Sequence, residues 1–265
     1  MTARRWPKVV LMRLTIIGSA GSYGSAGISC SCYLLQDRAT SIVLDIGNGS
    51  FSLLAGRIEP GEIDALFISH RHHDHLADLI SFYHYLLFVP GARRKSPLLL
   101  ASQETFDALA IIFAVDLAGM FELKIVTGGE SVAMGTMRME FAAADHIEGA
   151  LATKVIGDTA QIVGYSADTA STPSLVSFFA GVDLLLGEST WLKRPVGISG
   201  GMHMTAEELA DMARVAGVRE LVVTHVAFPA TASAAAEVAR ATFGGRVIAA
   251  QDGLVIDLEA RADPP

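Results

Sequence analysis

Ser69-His70-Arg71-His72-His73-Asp74-His75 places four of the chain's eight histidines in one short stretch. It follows Ala65 to Ile68, an apolar run that reads as a buried strand, and precedes Leu76 to Val89, which reads as a helix stopped by Pro90-Gly91. The stretch therefore sits at a strand's C-terminal edge, where side chains converge on a cleft. Imidazole nitrogens and carboxylate oxygens are the donors that zinc takes. His70, His72, Asp74 and His75 fill the spacing H-x-H-x-D-H. His70 and His72 alternate and can share one metal, while Asp74 and His75 turn the other way and can serve a second. His73 falls between these positions and reads as solvated or as lying behind the ligands. His84 reads as a histidine on the surface of the following helix.

A two-metal site needs further donors, and three candidates each close an apolar run. His146 ends Met139 to Asp145, Asp168 follows Ile162 to Ala167, and His225 follows Leu221 to Thr224. A polar residue at one strand end is commonplace. Three of them, at the same kind of position as the histidine stretch, supply the donors that the stretch lacks.

The surrounding pattern alternates strands and helices. Strands are expected at Met12 to Ile17, Ile28 to Leu35, Ser41 to Ile46, Pro97 to Leu100, Phe121 to Val126, Thr136 to Ala144, Thr153 to Gly157, Gln161 to Tyr165, Val182 to Leu186 and Leu221 to Thr224. Helices are expected at Gln103 to Asp116, Thr172 to Ala180, Ala206 to Ala216 and Ala232 to Thr242. Thr205 with Glu208 makes a capping box for the third of these. Arg246 to Ala250 and Leu254 to Leu258 read as a closing hairpin across Asp252-Gly253. Two sheets packed together with helices outside would bury this much apolar surface. No linker or repeat marks a boundary, so residues 12–265 read as one domain. Residues 1–11 read as a disordered extension, and Met12 is an alternative start.

Composition narrows the function. The 265 residues carry 20 Lys+Arg against 28 Asp+Glu, a net charge of -8, which disfavours wrapping nucleic acid. Hydrophobic residues reach 51%, yet apolar runs such as Ala108 to Val115 fall far short of the ~20 residues of a membrane span. Cys30 and Cys32 are too few for a disulfide scaffold and read as buried small hydrophobes. No secretory leader pattern is visible, so a reduced cytoplasmic protein is expected. Arg93-Arg94-Lys95 is the compact basic run and reads as a solvated turn. Phe82 to Val89 is apolar on more than one helix face, which suits a homodimer.

The sequence resembles the metallo-β-lactamase-fold hydrolase superfamily from Leu14 to Leu258. More narrowly, it looks like the branch holding ribonuclease Z and small cyclic-nucleotide phosphodiesterases. Besides His70 to His75, the match rests on four segments: Tyr165-Ser166-Ala167-Asp168-Thr169, Leu186-Gly187-Glu188-Ser189-Thr190-Trp191, Met202-His203-Met204-Thr205 and Asp45-Ile46-Gly47. Ala167 stands where the family has Gly, Gly187 where it has His, and Met204 where it has Ser. Other branches carry Cys at the position of Asp168 or Glu at that of His72, or lack the Glu188 and His203 pair.

The resemblance implies an α/β fold, a four-layer αβ/βα sandwich of two mixed β-sheets flanked by helices. It implies that His70, His72 and His146 bind one divalent metal, that Asp74, His75 and His225 bind another, and that Asp168 bridges both with a water or hydroxide. Zinc is the expected metal, with Mn2+ or Fe2+ as alternatives. Asp74 would orient the attacking hydroxide, and His203 backed by Glu188 would protonate the leaving group. The expected activity is a metal-dependent phosphodiesterase acting on a cyclic nucleotide or another small phosphodiester. A ribonuclease Z-type endonuclease is the alternative, disfavoured by the missing basic arm and the acidic charge. A metal-bearing binding or sensor module without catalysis is the alternative of another class.

Overall fold

Short aliphatic runs that are apolar on both faces form most of the central strands, the pattern of strands covered by a layer on each side. The computed structural model describes residues 12–92, 95–197 and 201–259. The expected N-terminal extension and the residues Arg93 and Arg94 lie outside them.

The chain runs β1 (Met12–Gly18), β2 (Cys32–Gln36), β3 (Ser41–Leu44), α1 (Phe51–Ala55), β4 (Ala65–Phe67), α2 (His73–Leu76) and α3 (Leu79–Phe88). It continues with β5 (Leu98–Ala101), α4 (Gln103–Phe113), β6 (Glu122–Ile125), β7 (Ser131–Met134), β8 (Met137–Ala143), β9 (Leu151–Ile156) and β10 (Ile162–Tyr165). The last part holds α5 (Pro173–Phe178), β11 (Leu184–Glu188), α6 (Ala206–Val215), β12 (Glu220–Thr224), α7 (Ala232–Phe243), β13 (Arg246–Ala249) and β14 (Val255–Leu258).

These strands make two seven-stranded sheets, ordered β14-β1-β2-β3-β4-β5-β6 and β13-β12-β11-β10-β9-β8-β7. Both are mixed. β3 to β6 are parallel in the first, and β10 to β13 in the second. Period-2 alternation divides each strand between two interfaces. On β2, Tyr33 and Leu35 face the other sheet, while Cys32 and Leu34 face the helices of their own side. Three apolar clusters result. One lies between the sheets, one under α5, α6 and α7, and one under α1, α3 and α4. Three interfaces mean four layers, the αβ/βα sandwich. Aromatic pairs lock the sheets together: Tyr33 meets Tyr165 at 5.2 Å and Phe67 meets Phe141 at 5.3 Å between centroids, each worth about 0.5–1.5 kcal/mol beyond burial.

Some expectations are corrected. The closing hairpin does not form. Asp252-Gly253 is a turn, but β13 pairs with β12 while β14 pairs with β1, so the chain crosses between sheets there. Gly253 N donates to Ile16 O at 2.8 Å, which binds the turn to the first sheet. The helix expected at Leu76 to Val89 is α3, which starts at Leu79, and the end of the histidine stretch before it forms the short α2. Strand β2 starts at Cys32 rather than at Ile28. β7, which pairs with β8 across Gly135, and the short α1 were not expected.

Phe82, Tyr83 and Leu86 of α3 are buried, whereas Leu87, Phe88 and Val89 are exposed. Lys95, the described residue of the basic run, pairs with Asp64. Cys30 and Cys32 are free and buried, and burial pushes the Cys30 thiol up to about 12, which keeps it protonated and inert. No helix among the described residues is long and apolar enough to cross a membrane.

Candidate metal centre

Every donor singled out in the sequence comes to the same end of the two sheets. His70 and His72 lie just after β4, and Asp74 and His75 lie in α2. His146 follows β8, Asp168 follows β10, Glu188 ends β11, and His225 follows β12. His203 precedes the capped N-terminus of α6, whose capping box of Thr205 and Glu208 is formed. His73 and His84 are both exposed. His84 packs its ring against Tyr83 and Phe88.

The donor atoms form two groups that share Asp168: His70, His72, His146 and Asp168, and Asp74, His75, Asp168 and His225. In the first, His72 Nδ1 lies 3.0 Å from both His70 Nε2 and His146 Nε2. Asp168 Oδ2 is 3.7 Å from His70 Nε2 and 3.8 Å from His146 Nε2. In the second, His75 Nε2 and His225 Nε2 are 3.2 Å apart, and each is 3.2 Å from Asp168 Oδ1. Asp74 Oδ2 is 3.2 Å from His225 Nε2 and accepts from Ser22 N at 2.7 Å. One oxygen of Asp168 thus faces each group.

The far sides of the rings are fixed from outside. His75 Nδ1 donates to Asp45 Oδ2 at 2.7 Å, and His146 Nδ1 donates to Met202 O at 2.8 Å. Ser69 Oγ donates to Asp45 at 2.7 Å, so it accepts from His70 Nδ1 at 3.1 Å. Thr190 Oγ1 donates to Glu188 at 2.9 Å, so it accepts from His225 Nδ1 at 3.0 Å. With the outer nitrogens of His70, His75, His146 and His225 protonated, their inner ones present lone pairs. His75 Nε2 and His225 Nε2 then face each other and Asp168 Oδ1 at 3.2 Å as acceptors, which needs positive charge among them. Asp168 Oδ1 is buried and makes no proper hydrogen bond among the described residues. A set of neutral imidazoles and carboxylates with oriented outer partners fits divalent metal.

The electrostatics show the same demand for a cation. Burial opposes a charge on His75, yet Asp168, Asp45 and Asp74 outweigh it and raise its pKa well above the usual value, so that without metal a proton on this ring supplies the positive charge. Burial likewise opposes ionisation of Asp168, but His225, His75 and His70 hold its carboxyl well below the ordinary range. Burial lowers His70 strongly and His146 to about 4, so both rings keep their lone pairs at neutral pH.

His203 and Glu188 stand beside the second group. His203 Nδ1 lies 3.1 Å from Glu188 Oε1 and 3.8 Å from Asp168 Oδ2. Glu188 is 1% exposed and accepts from Thr169 N, Met204 N, Thr190 N and Thr190 Oγ1. The carboxylate is therefore fixed, and it fixes His203 with Nδ1 inward.

The strand ends bend sharply to deliver these groups. Ser22, Asp45, Ala167, Met202 and His225 all have positive φ, at about 1–3 kcal/mol of strain each. Ala167, where the family carries Gly, has φ 50°, so the backbone before Asp168 does require the left-handed region. At Gly187, an added Cβ would lie 2.3 Å from Leu209 Cδ1 of α6.

Gly47 sets a second close approach. A Cβ there would lie 1.9 Å from the carbonyl oxygen of Asp74 and 2.7 Å from Cys30 Cβ. Gly47→Ala is expected to push α2 outward, at about 3 kcal/mol, and to lower Tm by roughly 6–12 °C with a loss of bound metal. An unchanged Tm with full metal content would remove this contact as a constraint on the site.

The beta-lactamase superfamily domain matches residues 41–226. The chain belongs to this superfamily. The probable metallo-hydrolase YhfI of Bacillus subtilis is 27% identical over 252 residues, which cover 92% of this chain and 99% of YhfI. The YhfI crystal structure superposes with a TM-score of 0.84 at 25% identity, covering 94% of this chain and 99% of that one. A diphosphatase of the PhnP family has a TM-score of 0.75 at 17% identity, covering 95% and 99%. The short form of human tRNase Z has a TM-score of 0.71 at 17% identity, covering 92% and 98%. These last two show a shared fold and belong to the branch that the sequence resembles. Superfamily, relatives and donor chemistry together make the chain a metal-dependent hydrolase.

Sequence reasoning missed the outer partners Ser69 and Tyr165 and the linking role of Thr190. All three, like Asp45, lay within quoted segments, but nothing local reveals what their side chains touch.

Proposed function

We propose that this metallo-hydrolase is a phosphodiesterase with two divalent metals, zinc first, acting on a cyclic nucleotide or another small phosphodiester. His70, His72 and His146 would hold one metal, Asp74, His75 and His225 the other, and Asp168 both. Bound there, the metals would supply a water of lowered pKa and a counter-charge for phosphoryl oxygens.

The observation that carries the reading is the buried Glu188 with its carboxylate 3.1 Å from His203 Nδ1, beside the donor cluster. Glu188 holds Nδ1, which leaves Nε2 to pass a proton to the departing ester oxygen. An alkoxide leaving group needs that proton. Asp74, tied to Ser22 N, is placed to orient the nucleophile. The acidic charge of -8 favours a small diester over a long polyanion. Two structural neighbours named for phosphate chemistry, a diphosphatase and a tRNase Z, lend support.

The test is turnover of 2′,3′- and 3′,5′-cyclic nucleotides and bis-p-nitrophenyl phosphate by protein loaded with zinc or manganese, beside a tRNA bearing a 3′ trailer. Turnover of a cyclic nucleotide is expected. Trailer cleavage alone would move the assignment to a ribonuclease Z-type endonuclease. Tight binding of nucleotide with no cleavage of anything would make the chain a binding module.

A further inference from the structure

His203 has to be held in place, and the backbone that carries it is strained. Met202 sits at φ 65°, and its carbonyl is already engaged by His146 Nδ1 at 2.8 Å. The Met202 side chain is 47% exposed. One short segment therefore carries two tasks, orienting a donor imidazole and presenting the proton-transferring one.

Arg194 spans this segment from the connection between β11 and α6. Its Nη2 donates to His203 O at 3.3 Å and to Glu208 Oε1 and Oε2 at 2.8 and 2.6 Å. Glu208 is itself anchored, because its Oε2 accepts from Thr205 N at 2.8 Å in the capping box of α6. The Arg194 guanidinium lies over Trp191, 5.1 Å from the ring centroid. Trp191 meets the His203 ring edge-on, with centroids 5.3 Å apart and planes at 75°. Backbone hydrogen bonds Ala206 N to Trp191 O, at 3.1 Å, and Trp191 N to Met204 O, at 3.4 Å, close the frame.

We propose that Arg194, locked between Glu208 and Trp191, is a positioning residue that holds His203 in register with the departing oxygen of the substrate. The inference rests on the phosphodiesterase reading. Water attacks phosphorus, the P–O bond to the sugar breaks, the leaving oxygen takes a proton from His203, and the attacking water's proton restores the ring. Arg194 touches none of these atoms. It acts through the carbonyl and the ring packing of His203, and so its loss should be felt where proton delivery limits the rate.

The test compares Arg194→Met and Arg194→Lys with wild type, all zinc-loaded, on a cyclic nucleotide and on bis-p-nitrophenyl phosphate. The first needs a proton on its leaving alkoxide, and p-nitrophenolate leaves without one. Arg194→Met is expected to lose on the order of 10- to 100-fold in kcat on the cyclic nucleotide, with little change in KM and little change on the nitrophenyl ester. Arg194→Lys keeps the charge near Glu208 but not the planar stack, and should recover part of the loss. The imidazole ¹H–¹⁵N spectrum gives a readout independent of turnover. The fixed Nδ1–H signal of His203 should average out in Arg194→Met while that of His75 persists. Equal losses on both substrates, no loss on either, or a general fall in zinc content and Tm would each overturn the positioning role. If wild type cleaves neither substrate, the phosphodiesterase reading fails, and an unchanged His203 signal in the variant would then reject the role of Arg194 separately.

Discussion

Asp168→Asn is expected to strip metal from the protein and to lower turnover on the order of 10³-fold, the equivalent of several kcal/mol of transition-state stabilisation. The two oxygens of Asp168 are not equivalent. Oδ2 faces His70 and His146 at 3.7 and 3.8 Å, while Oδ1 faces His75 and His225 at 3.2 Å each. Asparagine keeps the shape but turns one oxygen into an N–H donor and removes the charge. Burial alone would raise the Asp168 pKa, yet the surrounding imidazoles hold it well below the ordinary range, so the substitution removes a real anion at neutral pH. Whichever way the amide turns, one of the two groups then faces an N–H donor where it had an oxygen, and both lose the shared negative charge. Elemental analysis and thermal unfolding with and without chelator decide the matter. A chelator should lower the Tm of wild type by removing a ligand bound to the native state, and should shift the variant much less. Full metal content with turnover within tenfold of wild type would mean that Asp168 does not join the two groups.

The clustering of the candidate donors was legible for a local reason. His70 to His75 are contiguous, and His146, Asp168 and His225 each end an apolar run, a pattern that strand geometry alone makes meaningful. Two sheets with helices outside were legible from the amount of apolar surface, and the four-layer sandwich from the family resemblance; its physical basis shows on β2, where Cys32 and Leu34 serve one interface and Tyr33 and Leu35 another. What escaped depends on partners far along the chain. Asp252-Gly253 carries a genuine turn signal, but turn chemistry does not choose the strand partner, and β13 and β14 go to different sheets. Arg194 sits in a stretch without periodicity, and its meaning comes from Glu208 and Trp191 in space. Ala167 was visible as a departure from the family's Gly. The left-handed turn of the backbone there is a tertiary feature with no local signal.

Asp45 is the strongest case of a residue whose role lies wholly in the tertiary structure, and Asp45→Asn is expected to weaken metal binding about 10–100-fold. The carboxylate is fully buried and accepts four hydrogen bonds. Oδ1 takes Ser69 N at 2.7 Å, while Oδ2 takes Ser69 Oγ at 2.7 Å, His75 Nδ1 at 2.7 Å and Tyr165 Oη at 2.5 Å. Ser69 and His75 belong to the histidine stretch, and Tyr165 belongs to β10 of the opposite sheet, so the carboxylate ties both sheets together beneath the donors. Burial and the charge of Asp45 push the Tyr165 phenol well above its ordinary range, which keeps it a donor. An amide at this position can still satisfy Ser69 N, but its N–H groups would face three donors. His75 would lose the partner that fixes its tautomer, and the folded state would lose about 3–5 kcal/mol, as when one side of a buried charged pair is removed. Tyr165→Phe is the control. It deletes one of the four donors, should cost about 1 kcal/mol, and should leave metal affinity near wild type. Competition titration of zinc against a chromophoric chelator, run beside denaturant unfolding of the metal-free proteins, separates the two effects. If Asp45→Asn lost stability but bound zinc as wild type does, the carboxylate would be a structural tie between the sheets without influence on His75. If the two substitutions weakened zinc binding equally, the phenol rather than the carboxylate would be what orients the ring.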